Sequence, residues 1–252
     1  MTKYRLLIVA FFIIGIIVGF GFTQLYTYTV APSLAPRLSL DQMYENAIED
    51  AMVAKESEVY NGLTPITENN SNLTWQGDAG NRSGSVLMVT WTKYASSYPV
   101  GETVTTSWGE TWVTAAPEIK VFFQDHVSPD TNATVRAAQL LGMPANTSNT
   151  CFVELWVNPQ SLFRPTPNNE INDTVATLSF PSTATADYKA WFNSNIIFSY
   201  YPMKFPWTRL GYTYDWGNTA THVGLSEFVL RQNSTVTVKS VTPTVDYLHS
   251  NS

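Results

Sequence analysis

KYRLLIVAFFIIGIIVGFGF, residues 3–22, is the stretch on which the reading of the whole chain turns. After Lys3 and Arg5, Leu6 to Phe22 runs without a charge or a proline. A helix rises about 1.5 Å per residue, so roughly 20 apolar residues cross a hydrocarbon core of about 30 Å. Leu6 to Leu25 reaches that length if Thr23 and Gln24 sit at the far interface. A core helix of a globular domain would carry a polar face, which this run lacks. Residues 1–25 are therefore expected to form a transmembrane signal anchor, and the core of the fold has to come from residues beyond it. Both basic residues precede the span, so the positive-inside rule keeps the N-terminus in the cytoplasm and the rest outside, periplasmic or extracellular. The competing reading is a cleaved signal and a secreted product. The nearest small-residue pattern, Ser33-Leu34-Ala35, lies far downstream and is followed by Pro36.

Residues 26–38, with Pro32 and Pro36, read as an extended spacer. Residues 39–252 then suffice for one exported domain. A hydrophobic fraction of 44% supports a real core, while a charged fraction of only 13% leaves an uncharged surface rich in Thr, Ser and Asn. The net charge of -6, with no basic run beyond the first five residues, excludes a nucleic-acid partner. Cys151 is the only cysteine, so no intrachain disulfide forms. It stands in an apolar strand pattern, which marks a small buried hydrophobe rather than a nucleophile. Sequons begin at Asn69, Asn72, Asn81, Asn132, Asn146, Asn172 and Asn233, candidate acceptors if the chain meets a glycosylation machinery.

The expected fold class is α+β: the membrane helix, then a mainly antiparallel sheet with three or four helices. Ser39-Leu40-Asp41-Gln42 reads as a capping box opening a helix to about Lys55. Residues 67–84, dense in Asn, Ser and Gly, read as a long flexible loop. Strands are expected at 86–93, 103–106 and 111–115, and helices at 118–124 and 131–141, the second ended by Gly142. Cys151 to Val157 is apolar on both faces except for Glu154, which predicts a central strand. Further strands are expected at 174–180, 209–214, 225–231 and 235–241, with a helix from Ser182 or Thr183 between the first two.

The densest aromatic run is 200–216, from Tyr200 through Trp207, Tyr212, Tyr214 and Trp216. It reads either as core and turn, or as a contact surface for a protein partner or a glycan. On the contact reading Trp207, Arg209, Asp215 and Trp216 are the binding residues, with Trp207 exposed at the strand entrance. His126, His222 and His249 lack zinc-ligand spacing, so no metal is expected, and no cofactor motif is present. Acid pairs such as Glu154 with Glu170 or Asp173 are of the kind that glycosidase chemistry needs, two carboxylates a few ångströms apart. The expected function is a membrane-anchored binding, accessory or structural role, leaning away from catalysis. A secreted or membrane-bound hydrolase, its site assembled from distant acids and histidines, is the alternative.

Overall fold

The computed structural model describes residues 38–77 and 84–250. The expected anchor, nearly all of the spacer and Asn81 lie outside the described residues. Among the described residues no helix is long and apolar enough to cross a membrane.

The chain opens with α1 (Leu40–Ala51), β1 (Trp75–Gln76), β2 (Ser85–Thr92), β3 (Thr103–Thr105) and β4 (Thr111–Ala115). Two helices come next, α2 (Ala116–His126) and α3 (Ala133–Leu140), then β5 (Cys151–Val157) and β6 (Leu162–Phe163). The last part holds α4 (Ala186–Tyr200), β7 (Tyr212–Tyr214), β8 (Val223–Ser226), β9 (Phe228–Leu230), β10 (Thr235–Pro243) and α5 (Thr244–His249). This is an α+β fold on an antiparallel sheet, with five helices among the described residues.

The main sheet runs in the order β3-β10-β5-β2-β4-β9-β6, with β1 also paired to β2. β5 is indeed central, paired antiparallel to β10 on one side and β2 on the other. A 3-10 turn, Pro159–Ser161, carries β5 directly into β6 at the far end of the same sheet. The sheet therefore curls back towards its own middle. Val86, Met88, Val113, Val153, Leu155, Phe228 and Leu230 fill the inside of that curl. Alternate residues face outward, since side chains switch face with a period of two. Leu87, Val89 and Phe152 pack there under α2, α3 and α5. Phe163 and Val229 pack under α1 and α4.

Several elements match the sequence pattern for the expected reasons. Asn132 caps α3 by accepting from Val135 N, and Gly142 ends it with φ 64 in the left-handed region. Asn233 takes φ 61 in the turn before β10, where Val236 and Val238 point into the core.

Others differ. α1 stops at Ala51, short of Lys55, where the Arg209 guanidinium takes the carbonyls of Ala51 and Met52. Residues 174–180 form no strand: the segment is held by Leu63 N donating to Thr174 O and by side chains in and beside it. Asn168 Oδ1 accepts from Thr177 N, and Arg164 donates to the Asp173 carbonyl. The expected strand at 209–214 shrinks to β7, since Arg209 (φ 61) and Gly211 (φ 81) are left-handed and not extended. The single strand expected at 225–231 is two, β8 and β9, which join different sheets. Within 67–84, Trp75 and Gln76 pair with β2, and Leu73 is buried. The cap of α4 is Thr185, not Ser182 or Thr183.

Candidate functional site: an aromatic cleft over strand β4

Two helical groups cover the outer face of the sheet, and between them lies a cleft of about 440 Å³. Its sheet side comes from β2 and β4 through Val89, Trp91 and Trp112. One wall is the end of α3, at Leu141 to Met143, and the other is the end of α4, at Asn195, Phe198 and Ser199. Phe205, Pro206 and Trp207 complete it. Tyr94, Trp108, Phe198 and Met203 line it and are also exposed, so its rim is apolar and open to solvent.

The lining contains no Lys, Arg or His among the described residues, and its only carboxylic acids are Glu110 and Glu227. Glu110 Oε2 accepts from the Trp191 indole Nε1–H at 2.8 Å. Glu227 sits at the joint where the chain leaves β8 and enters β9, its backbone N–H donating to Gly211 O at 2.9 Å. It is half-buried as a residue, but its carboxyl Oε2 is shut away from solvent without a partner. Burial alone pushes that carboxyl up to about 8.

Of the four residues expected to bind, only Trp207 lies in the cleft. It is not exposed as the sequence suggests: its relative exposure is 5%, against Trp112 at 6.0 Å and Phe192 at 5.0 Å between ring centroids. Its indole Nε1–H has no partner within the protein. Arg209 instead pins the end of α1 and covers the Tyr200 ring. Asp215, fully buried, makes a bidentate pair with Arg136 at 2.8 and 2.6 Å and accepts from Gly217 N. Trp216 is buried, donates to Met143 O at 2.9 Å and packs edge-on to Tyr44. The run 200–216 is thus mostly scaffold, and Tyr212 and Tyr214 are buried in keeping with a core strand.

The structure does not bring the expected acid pairs together. Glu154 meets Lys239 at 2.9 Å, Lys120 at 3.5 Å and the Tyr247 hydroxyl at 3.0 Å. Burial works to raise its pKa, but the Lys239 and Tyr247 hydrogen bonds and the Lys120 charge outweigh it and hold the carboxyl low. Asp173 lies elsewhere, 3.5 Å from the buried Arg164 and bonded by Asn168. Burial dominates there and raises its pKa. Of the histidines, His222 stacks on Tyr214, with Nδ1 2.8 Å from the Tyr214 hydroxyl and 3.6 Å from Asp50. Cys151 is buried, its thiol donating to Thr92 O. Asn69, Asn72, Asn132, Asn146, Asn172 and Asn233 are all exposed, open to a modifying enzyme.

Sequence reasoning missed Glu227, Glu110, Asn195 and Trp112. One signal was available for the first, an acid set between apolar residues in Leu225-Ser226-Glu227-Phe228-Val229-Leu230. The other three become neighbours only through the β4–β9 pairing and the docking of α4. No family model, curated protein or solved structure matches the chain.

Proposed function

We propose that this chain is a membrane-anchored binding component, working outside the cytoplasm, that takes an uncharged ring-bearing ligand in the aromatic cleft. The observation that carries the reading is the lining itself, rich in Trp, Tyr and Phe with two glutamates and no cationic side chain. Aromatic faces bind apolar ring faces, and a concave apolar site with few polar groups suits a small ligand. An anionic ligand would enter beside Glu110 with no cationic side chain in the lining to offset it. The exposed rim of Tyr94, Trp108, Phe198 and Met203 extends the contact beyond the cleft, which suits an accessory role beside a larger partner.

One observation favours a hydrolytic reading: two carboxylic acids share the cleft, and one is held with a raised pKa, as a general acid requires. They stand apart, however. Glu227 precedes Phe228, which pairs with Val113, while Glu110 precedes Thr111, which pairs with Leu230, at the opposite end of the β4–β9 pairing. Binding is the better supported of the two.

The test uses ligand-observed NMR with benzyl alcohol and phenyl phosphate as probes. Benzyl alcohol should bind the native protein and lose binding in Trp112→Ala, whereas phenyl phosphate should not bind. Equal binding of the phosphate, or no binding by either probe, overturns the proposal. The anchor is tested by N-terminal sequencing of the mature protein: Met1 or Thr2 supports it, and an N-terminus near residue 30 removes it.

A further inference from the structure

We infer that the tip of α4, carrying Ile197, Phe198, Tyr201 and Met203, seats in the lipid interface of the bilayer that holds the anchor. The inference goes beyond the cleft and rests on the anchor reading. These four side chains fall within seven residues, and each is between 59% and 66% exposed. Large apolar residues scattered singly over a surface need no explanation, but a cluster marks a contact. The solvent face of α4 is not apolar throughout. Its first part presents Asp187, Ala190, Asn193 and Ser194, all exposed, and the large apolar side chains begin only at Ile197. Ile197 and Phe198 share a side with Tyr201, because helix positions three and four apart are neighbours. Met203 follows in the turn that closes the helix. One face thus changes from polar to apolar at its last turn.

The backbone of the tip suits that setting. Lipid offers no hydrogen bonds, so a backbone N–H entering it needs a partner within the protein. Tyr201 N donates to Ile197 O at 3.2 Å, Met203 N to Phe198 O at 3.0 Å and Phe205 N to Ser199 O at 2.7 Å. Pro202 has no N–H to satisfy. Lys204, with φ 55, turns the chain back, and its long apolar stem lets the ammonium stay in water.

Where the chain enters the domain points to lipid as the occupant. The Tyr44 hydroxyl donates to Lys204 O at 3.0 Å, which fixes the tip against the first half of α1. That helix begins at Leu40, one turn before Tyr44, or about 6 Å along its axis. From the end of the expected anchor, residues 26–40 reach at most about 50 Å when fully extended. So short a tether gives the tip an effective concentration on the order of millimolar, and weak intrinsic affinity then suffices. Charge adds nothing. Lys204 is the one cation among residues 197–204, while α1 exposes Asp41, Glu45 and Glu49. The partner is therefore a zwitterionic surface and not a polybasic region's anionic one. Phe198 and Met203 also line the cleft, so a seated tip holds the cleft mouth at the lipid surface.

The experiment places the full chain in phosphatidylcholine vesicles. A nitrobenzoxadiazole fluorophore is attached through Met203→Cys and, as a control on the same helix, through Asn193→Cys. Retention in the vesicles after alkaline carbonate extraction reads the anchor separately. The label at 203 should emit at shorter wavelength than the label at 193, and a lipid-borne nitroxide should quench it where aqueous iodide does not. Ile197→Asp combined with Tyr201→Asp, both at exposed positions, should return the 203 label to water and leave retention unchanged. Adding phosphatidylserine should bring no gain, and circular dichroism checks that each variant is folded. In a retained chain, a 203 label as open to iodide as the 193 label overturns the lipid contact while the anchor stands. So does shielding that the paired aspartates leave intact. Shielding that fades as the protein-to-lipid ratio falls assigns the face to a second copy instead. A chain that carbonate removes from the vesicles has no anchor, and the inference falls with it.

Discussion

Replacing Glu227 by Gln should stabilise this protein in mild alkali and do almost nothing in acid. An unfolded glutamate ionises near 4.5, whereas the folded carboxyl of Glu227 holds its proton to about 8. Between those values the unfolded chain releases a proton that the folded one keeps, so stability is full below pH 4.5 and falls as pH rises to 8. At about 1.4 kcal/mol per pKa unit, the whole displacement is worth about 5 kcal/mol. The residue is half-buried rather than wholly enclosed, so solvent screening reduces this to about 2–3 kcal/mol. Gln keeps the shape of the protonated acid and cannot ionise. In a domain of this size each kcal/mol moves the melting temperature by about 2–4 °C, so the variant should melt roughly 5–10 °C above wild type at pH 8.5. At pH 3.5 the two should coincide within about 1 °C, because both side chains are then neutral in the folded and the unfolded chain alike. Glu118, pushed up to about 7 by burial, slopes both curves alike and cancels in the difference. Melting followed by circular dichroism at half-unit pH steps decides the matter. Parallel curves from pH 5 to 9, or equal destabilisation throughout, would show that Glu227 is ionised in the fold and refute the reasoning.

Arg136→Met strands the fully buried Asp215, which should cost about 3 kcal/mol and lower the melting temperature by roughly 6–12 °C. Adding Asp215→Asn should recover at least half of that loss, and a double variant as unstable as the single one would count against the ion pair. Trp207→Ala empties a ring site packed by Trp112, Trp191 and Phe192, and should cost about 3–5 kcal/mol in urea unfolding. A loss below about 1 kcal/mol would return Trp207 to the surface. Burial pushes the Cys151 thiol pKa up, so a thiol reagent should label it only after denaturant is added. Immediate stoichiometric labelling of the native protein would contradict this.

Much of the fold was legible because local signals and tertiary demands agree. In β5 apolar residues occupy both faces, which only a strand flanked on both sides and covered on both faces can use. Pro117 at the head of α2, Asn132 and Gly142 around α3, and Asn233 before β10 each solve a backbone problem that their chemistry announces. The misreadings share one cause. At 174–180 the Asn168 side chain takes the Thr177 N–H in place of a ladder partner, and at 209–214 two left-handed residues interrupt a strand-like composition. Such choices are made by distant partners. The site was the least legible part, since Trp207 looked like a surface ring until Trp112 and Phe192 were brought against it. Glu227 fell within a segment that read as a single strand, when it is the joint between two sheets.

The place of β10 in the sheet also sets a clock. It pairs with β3 on one side and β5 on the other, although about 80 residues separate Val157 from Thr235. Ribosomes add about 5–20 residues per second, so this stretch takes on the order of 4–16 s to make. Throughout that interval β2 and β5 can already pair, while the opposite edge of β5 has its row of backbone N–H and C=O groups open and unclaimed. The nascent chain therefore passes through a sticky adolescence that only the arrival of β10 brings to an end.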